Sequence, residues 1–142
     1  MNKDTNAWIM QTWISFGLAV VAGIYGIYNL QITDPWIKAF MIFGVFSSIA
    51  TAFTVSKTIR DNKEKQQDTG AWIMQTWVTF IITVGFTVGG LWNLTADNTT
   101  KSYIAVAYLF ALSSSFTLAK TIRDNQGEIK ADKPKLNKDN LI

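Results

Sequence analysis

Trp8, Gln11, Thr12 and Ser15 fall at spacings i, i+3, i+4 and i+7, which sets an indole, an amide and two hydroxyls on one face of a helix. The set returns as Trp72, Gln75, Thr76 and Thr79, because AWIMQTW occurs at both Ala7 and Ala71. With the preceding Asp-Thr pairs, nine of ten aligned positions agree. Such a face can hydrogen-bond a polar ligand or a second helix, and two facing indoles could cage a cation. It cannot do nucleophilic or proton-transfer chemistry unaided. The chain has no cysteine and no histidine, which removes thiol catalysis, disulfides, ligation of haem or zinc through those groups and histidine relays. Its serines and threonines have no base beside them, so no catalytic residue and no enzyme is expected. Met10 and Met74 make a poor metal site without histidine or cysteine, and no cofactor is implied.

A second repeated set is KTIRDN, at Lys57 to Asn62 and Lys120 to Asn125. Lys57, Arg60, Lys120 and Arg123 oppose the negative end of a helix and reach lipid headgroups, so they read as anchors. An ion pair between Arg60 or Arg123 and Asp4 or Asp68 would clamp that end of the molecule. Asp4, Thr5, Asp68 and Thr69 are also N-cap candidates.

The elements that carry these sets follow from the charge pattern. Residues 5–33, 39–56, 69–96 and 102–119 contain no charged side chain. The two shorter runs hold 18 residues each, roughly 27 Å as helix at about 1.5 Å per residue, against a hydrocarbon core of ~30 Å. A soluble four-helix bundle is the competing reading, and the mean hydropathy of +0.15 favours it. A soluble helix keeps a charged stripe toward water, however, and none of these runs has one. A cleavable signal peptide fits the first run poorly: only Lys3 precedes it, Asp4 adjoins it, and no small-x-small site closes it.

The expected fold is therefore an all-α membrane protein of four transmembrane helices, arranged as two tandem hairpins. Helix 1 spans about Ala7 to Leu30, helix 2 Trp36 to Asp61, helix 3 Ala71 to Leu94 and helix 4 Lys101 to Asp124. Residues 1–62 form the first repeat, 63–68 a cytoplasmic linker, 69–125 the second repeat, and 126–142 a polar, disordered cytoplasmic tail. The N-terminus, the linker region and the tail hold 11 of the 13 lysines and arginines. Both termini should then be cytoplasmic. Each repeat starts and ends on one side, so a pseudo-two-fold along the membrane normal can relate them.

Small and hydroxylated residues mark the faces that should meet protein: Ala19, Ala22, Gly23 and Gly26 on helix 1, and Thr83, Thr87 and Gly90 on helix 3. Helix 2 offers Gly44, Ser47, Ser48, Thr51 and Thr54, and helix 4 Ala107, Ala111, Ser114 and Thr117. If the two-fold brings helices 1 and 3 together, their polar arcs form one patch. Trp8 and Trp72 at the inner interface, with Tyr25, Tyr28, Trp36, Trp92 and Tyr103 at the outer, suit aromatic belts. Gly85 and Gly89 form a GxxxG on another face of helix 3.

The paired AWIMQTW and KTIRDN motifs, each pair enclosing two membrane helices from about Asn6 to Asn125, resemble the YiaA/YiaB family of small bacterial inner-membrane proteins. That resemblance implies the bacterial inner membrane and a two-helix domain in two copies, and carries over no catalytic residue. Three functions compete. A non-enzymatic module that associates with lipid or a membrane partner, or with itself, fits the small-residue faces. An uncoupled channel or transporter for a small polar solute would use the Gln/Thr/Ser stripe of helices 1 and 3. An intramembrane enzyme lacks a base, and no ionisable group lies inside a span to couple transport to protons. The net charge of +3 comes from residues at helix ends, so no nucleic-acid partner is expected.

Overall fold

In the computed structural model, which describes residues 5–31, 34–63 and 68–131, with side chains through Asn125, each helix starts where the sequence supplies an acceptor for its first turn. Thr5 Oγ1 accepts from Trp8 N (3.3 Å) to open α1, Asn6–Tyr28, and Thr69 Oγ1 accepts from Trp72 N (3.4 Å) to open α3, Gly70–Trp92. Pro35, pre-set for a first helical position, opens α2, Pro35–Lys63, behind Asp34, whose carboxylate accepts from Trp36 N at 2.9 Å. Asp97 opens α4, Asn98–Ala131, by accepting from the Thr100 hydroxyl (2.6 Å) and amide (2.9 Å). Those two bonds, the hydroxyl first, hold the Asp97 carboxyl below the ordinary carboxylate value. Of the expected caps, Thr5 and Thr69 serve, and Asp4 lies outside the described residues.

The helix ends at the turns are closed by repeated devices. Asn29 Nδ2 donates to Tyr25 O and Asn93 Nδ2 to Gly89 O, both at 2.8 Å. Lys38 Nζ donates to Tyr28 O (2.8 Å) and Lys101 Nζ to Trp92 O (3.0 Å). The single basic residue in each turn thus neutralises the negative end of the preceding helix.

At the far end, α4 departs from expectation and continues to Ala131, so 126–131 is helix rather than disordered tail. Gln126, Glu128, Lys130 and Ala131 are good helix formers, and Pro134 is the first residue that forbids continuation. Residues 132–142 of the expected tail, and 64–67 of the expected linker, lie outside the described residues.

All four helices are long and apolar enough to cross a membrane. Their outer surface is not that of a soluble bundle. Outside lie Leu18, Val21, Phe43, Ile81, Phe86, Val106 and Leu109, all more than 60% exposed, while Ser48 and Ser115 are fully buried. An apolar coat of that extent belongs against lipid.

The chain is wound as two hairpins, yet the hairpins are not the packing units. α2 and α4 pack on each other, α1 packs chiefly on α4, and α3 chiefly on α2. Each repeat's first helix therefore leans on the other repeat's second helix. Partners within one hairpin touch more sparingly, through Phe16 against Phe53 (6.1 Å between ring centres) and, equivalently, Phe80 against Phe116 (5.9 Å). The cross-repeat contacts also recur. Gly26 lies beneath Tyr103 and Ile104, and Gly90 beneath Phe40 and Met41, the residues 63 positions earlier.

Glycine is required where a side chain would strike a neighbour. A Cβ on Gly44 would stand 2.7 Å from Thr87 Oγ1, whereas one on Gly17 would meet nothing within 4 Å. Gly44→Val should cost about 1–3 kcal/mol through overpacking, and Gly17→Val close to nothing. Thermal unfolding of the purified chain in one detergent checks the contrast; equal midpoints would contradict this packing.

Candidate functional site

The expected patch is divided by the fold. α1 and α3 make no contact, because the α2–α4 pair keeps them apart. Trp8, Gln11, Thr12 and Ser15 instead face α4, where they line a recess of about 140 Å³ with Phe110, Ser113, Ser114 and Thr117. Thr12 is buried and its hydroxyl donates to Trp8 O at 2.8 Å; Trp8 is 44% exposed and Gln11 is exposed. On α3, Thr76 is buried, Thr79 donates to Gln75 O at 2.8 Å, and Trp72 matches Trp8 in exposure. The two indoles do not come together, and a cation cage built from both does not form. Juxtaposition by helices 1 and 3 fails because the larger buried faces belong to α2 and α4, which occupy the centre.

Most hydroxyls within the spans turn back on their own helix four residues earlier, as Ser48 does to Gly44 O, Thr87 to Thr83 O and Ser115 to Ala111 O. One group reaches across. Tyr108 Oη donates to Ser48 Oγ at 2.8 Å, Ser48 Oγ lies 3.4 Å from Thr87 Oγ1, and Thr51 Oγ1 lies 3.1 Å from Thr83 Oγ1. This cluster ties α2, α3 and α4 together. Reading by repeats missed Tyr108, since the first repeat has Val45 in its place and Gly23 where the second has Thr87. Its signal was a lone phenol amid the apolar residues of a span, a group that must find a partner there.

A second concave region brings the KTIRDN copies together. Because α2 packs on α4, Arg60, Lys63, Lys120 and Arg123 line one cleft of about 430 Å³. A smaller recess of about 200 Å³ beside it adds Lys57 to the two arginines. The expected clamp to Asp68 is replaced by local pairs: Arg60 Nε donates to Asp61 Oδ1 at 2.7 Å and Arg123 Nε to Asp124 Oδ1 at 3.2 Å. Adjacent aspartates win because they need no second helix to reach. The belt aromatics hold the opposite end, with Trp36 and Trp92 about four-fifths exposed, Lys38 5.6 Å from the Tyr28 ring centre and Tyr103 Oη donating to Ala22 O at 3.3 Å. Gly85 and Gly89 lie on an open apolar groove of α3 shared with Phe40 and Phe86.

Four apolar helices in two tandem repeats, apolar outside as well as in the core and with hydroxyls among the buried residues, define a multi-pass membrane protein. The chain belongs to the family of the yiaA/B two helix domain, which matches residues 8–61 and again 72–124. Each match opens on the first tryptophan of AWIMQTW and closes on the aspartate of KTIRDN. Inner membrane protein YiaA of Escherichia coli (strain K12) is 29% identical over 121 residues, 83% of this chain and 81% of that protein. No solved structure matches.

Tyr108→Phe should lower stability by about 0.6 kcal/mol, the average for a bond between membrane helices. Ser48→Ala should cost more, since it also strands the buried phenol. Reversible unfolding in mixed micelles, with the double variant closing the cycle, measures both; no coupling between the two sites would dismiss the cluster as a stabilising element.

Proposed function

We infer that this chain is a non-enzymatic module of a bacterial inner membrane that works by holding a lipid or a membrane partner. The observation that carries this reading is the separation of roles among polar groups. Hydroxyls along the spans bond within or between helices, while the cations converge at one end of the bundle. The relative's name, an inner membrane protein, supports the location. Matching contacts at Gly26 and Gly90 support an approximate two-fold along the membrane normal, and the Gly85–Gly89 groove is a surface on which a second copy could pack.

A channel lined by helices 1 and 3 would need their polar faces to meet, and Met41, Val45, Ile49 and Ala52 of α2 are buried in the centre between them. Proteoliposomes of the full chain should therefore pass small neutral solutes no faster than protein-free vesicles. Robust flux that disappears in Gln11→Ala and Gln75→Ala would overturn the module reading.

The excess of Lys and Arg at the KTIRDN end supports a cytoplasmic position for it. In Thr95→Cys the single thiol should react with a membrane-impermeant reagent in intact cells, and in Lys65→Cys only after permeabilisation. The opposite pattern would reverse the orientation.

A further inference from the structure

We propose that the two KTIRDN copies build one binding site for a phosphate group in the cleft between α2 and α4, a proposal that rests on the module reading and gives it a ligand. Anchoring alone requires only that each cation reach the nearest headgroups, which it does best by splaying outward from its own helix. Here side chains distant in sequence line a shared concavity instead: Arg60 with its repeat equivalent Arg123, and Lys63, just past the first KTIRDN, with Lys120 of the second. Asp61 and Asp124 each pair with the adjacent arginine, and the two lysines leave the cleft with an excess of positive charge. Gathering like charges in one partly enclosed place is unfavourable unless an anion offsets them.

The geometry of the two arginines points to the kind of anion. Each guanidinium is held through Nε by the aspartate that follows it, at 2.7 and 3.2 Å, and each arginine side chain is 30% exposed. Neither makes a further hydrogen bond to a described residue. Tethering at Nε fixes the plane and leaves the terminal Nη groups as a fork, the arrangement that matches phosphate oxygens in pairs. The lysines supply unoriented charge, and Ser56 a hydroxyl. The volume, about 430 Å³, falls within the ~300–1,000 Å³ of small-ligand sites. Ile59 and Phe116 also line the cleft. A phosphodiester carrying acyl chains suits a lining that is charged in part and apolar in part, at the end of the spans. The same donors would take inorganic phosphate.

The test uses the full chain in a neutral detergent, titrated in turn with phosphatidylglycerol, phosphatidylcholine of the same chains and inorganic phosphate, and followed by thermal unfolding and native mass spectrometry. Phosphatidylglycerol should raise the midpoint and stay bound. The double variant Arg60→Gln/Arg123→Gln should bind it about tenfold or more weaker, the loss expected when charge-assisted bonds from two guanidinium groups are removed. Lys133→Gln/Lys135→Gln removes the same charge from outside the cleft lining and should leave binding within about twofold of the parent. If inorganic phosphate protects equally, and only with both arginines present, the site stands as one for the free anion.

Equal loss in the two double variants, or retention unchanged by the arginine pair, would overturn the site in favour of general surface charge. Should Arg60→Gln/Arg123→Gln unfold, Arg60→Lys/Arg123→Lys keeps the charge and removes the fork; undiminished affinity there would also overturn it. The flux measurement is independent of lipid binding, so loss of this site with no flux leaves the module reading in place.

Discussion

Inside a bilayer the hydrocarbon around a helix is as apolar as any leucine, so burying leucines cannot drive helices together. What remains is close approach, with short bonds made across it, and the arrangement of this chain depends on that. Gly44 admits Thr87, Gly26 admits Tyr103, and Gly90 admits Met41 and Phe40. The fully buried serines, Ser48 and Ser115, lie on the two central helices, while the large aliphatic and aromatic side chains are turned outward in numbers that water would not tolerate.

The duplication is used in an exchanged fashion. A two-helix unit has little surface to bury alone, and its two helices touch sparingly, with one aromatic pair between them. Each opens to receive the first helix of the other unit, much as two copies of a single hairpin would in a dimer. Within that shared plan the halves have diverged. The α2–α3 contact is stitched by hydroxyls, Thr51 to Thr83 and Ser48 to Thr87, while α1 meets α4 with Ala19 and Gly23 at the equivalent places. Tyr108 exists in only one repeat and locks onto the hydroxylated side. Equal backbones are thus held by unequal chemistry.

The pairing of α2 with α4 has a consequence at the basic end. A motif that on one helix is only an anchor becomes, when its copy is packed beside it, half of a charged cleft. The same pairing places α1 and α3 on separate flanks, where Thr12 and Thr76 of the two AWIMQTW stretches are buried while Trp8, Gln11, Trp72 and Gln75 stay exposed. The cations of the two motifs thereby gather at one end of the same two central helices whose middle turns carry the small-residue faces.

Much of this could be read from the letters. Four charge-free runs determined the four spans, and the Asp-Thr pairs the caps of α1 and α3, because charge burial in lipid and unpaired helix-end amides are local penalties. Residues 126–131 continue α4 despite their polarity, because Gln, Glu, Lys and Ala favour helix. Which helices adjoin was not legible: hairpin connection and repeat symmetry both permit α1 beside α3. Only the three-dimensional packing chose α1 on α4, α3 on α2 and α2 on α4, since that choice turns on whether specific small residues on distant segments let backbones come close. The meeting of the two arginines, and the partner of Tyr108, were decided there too.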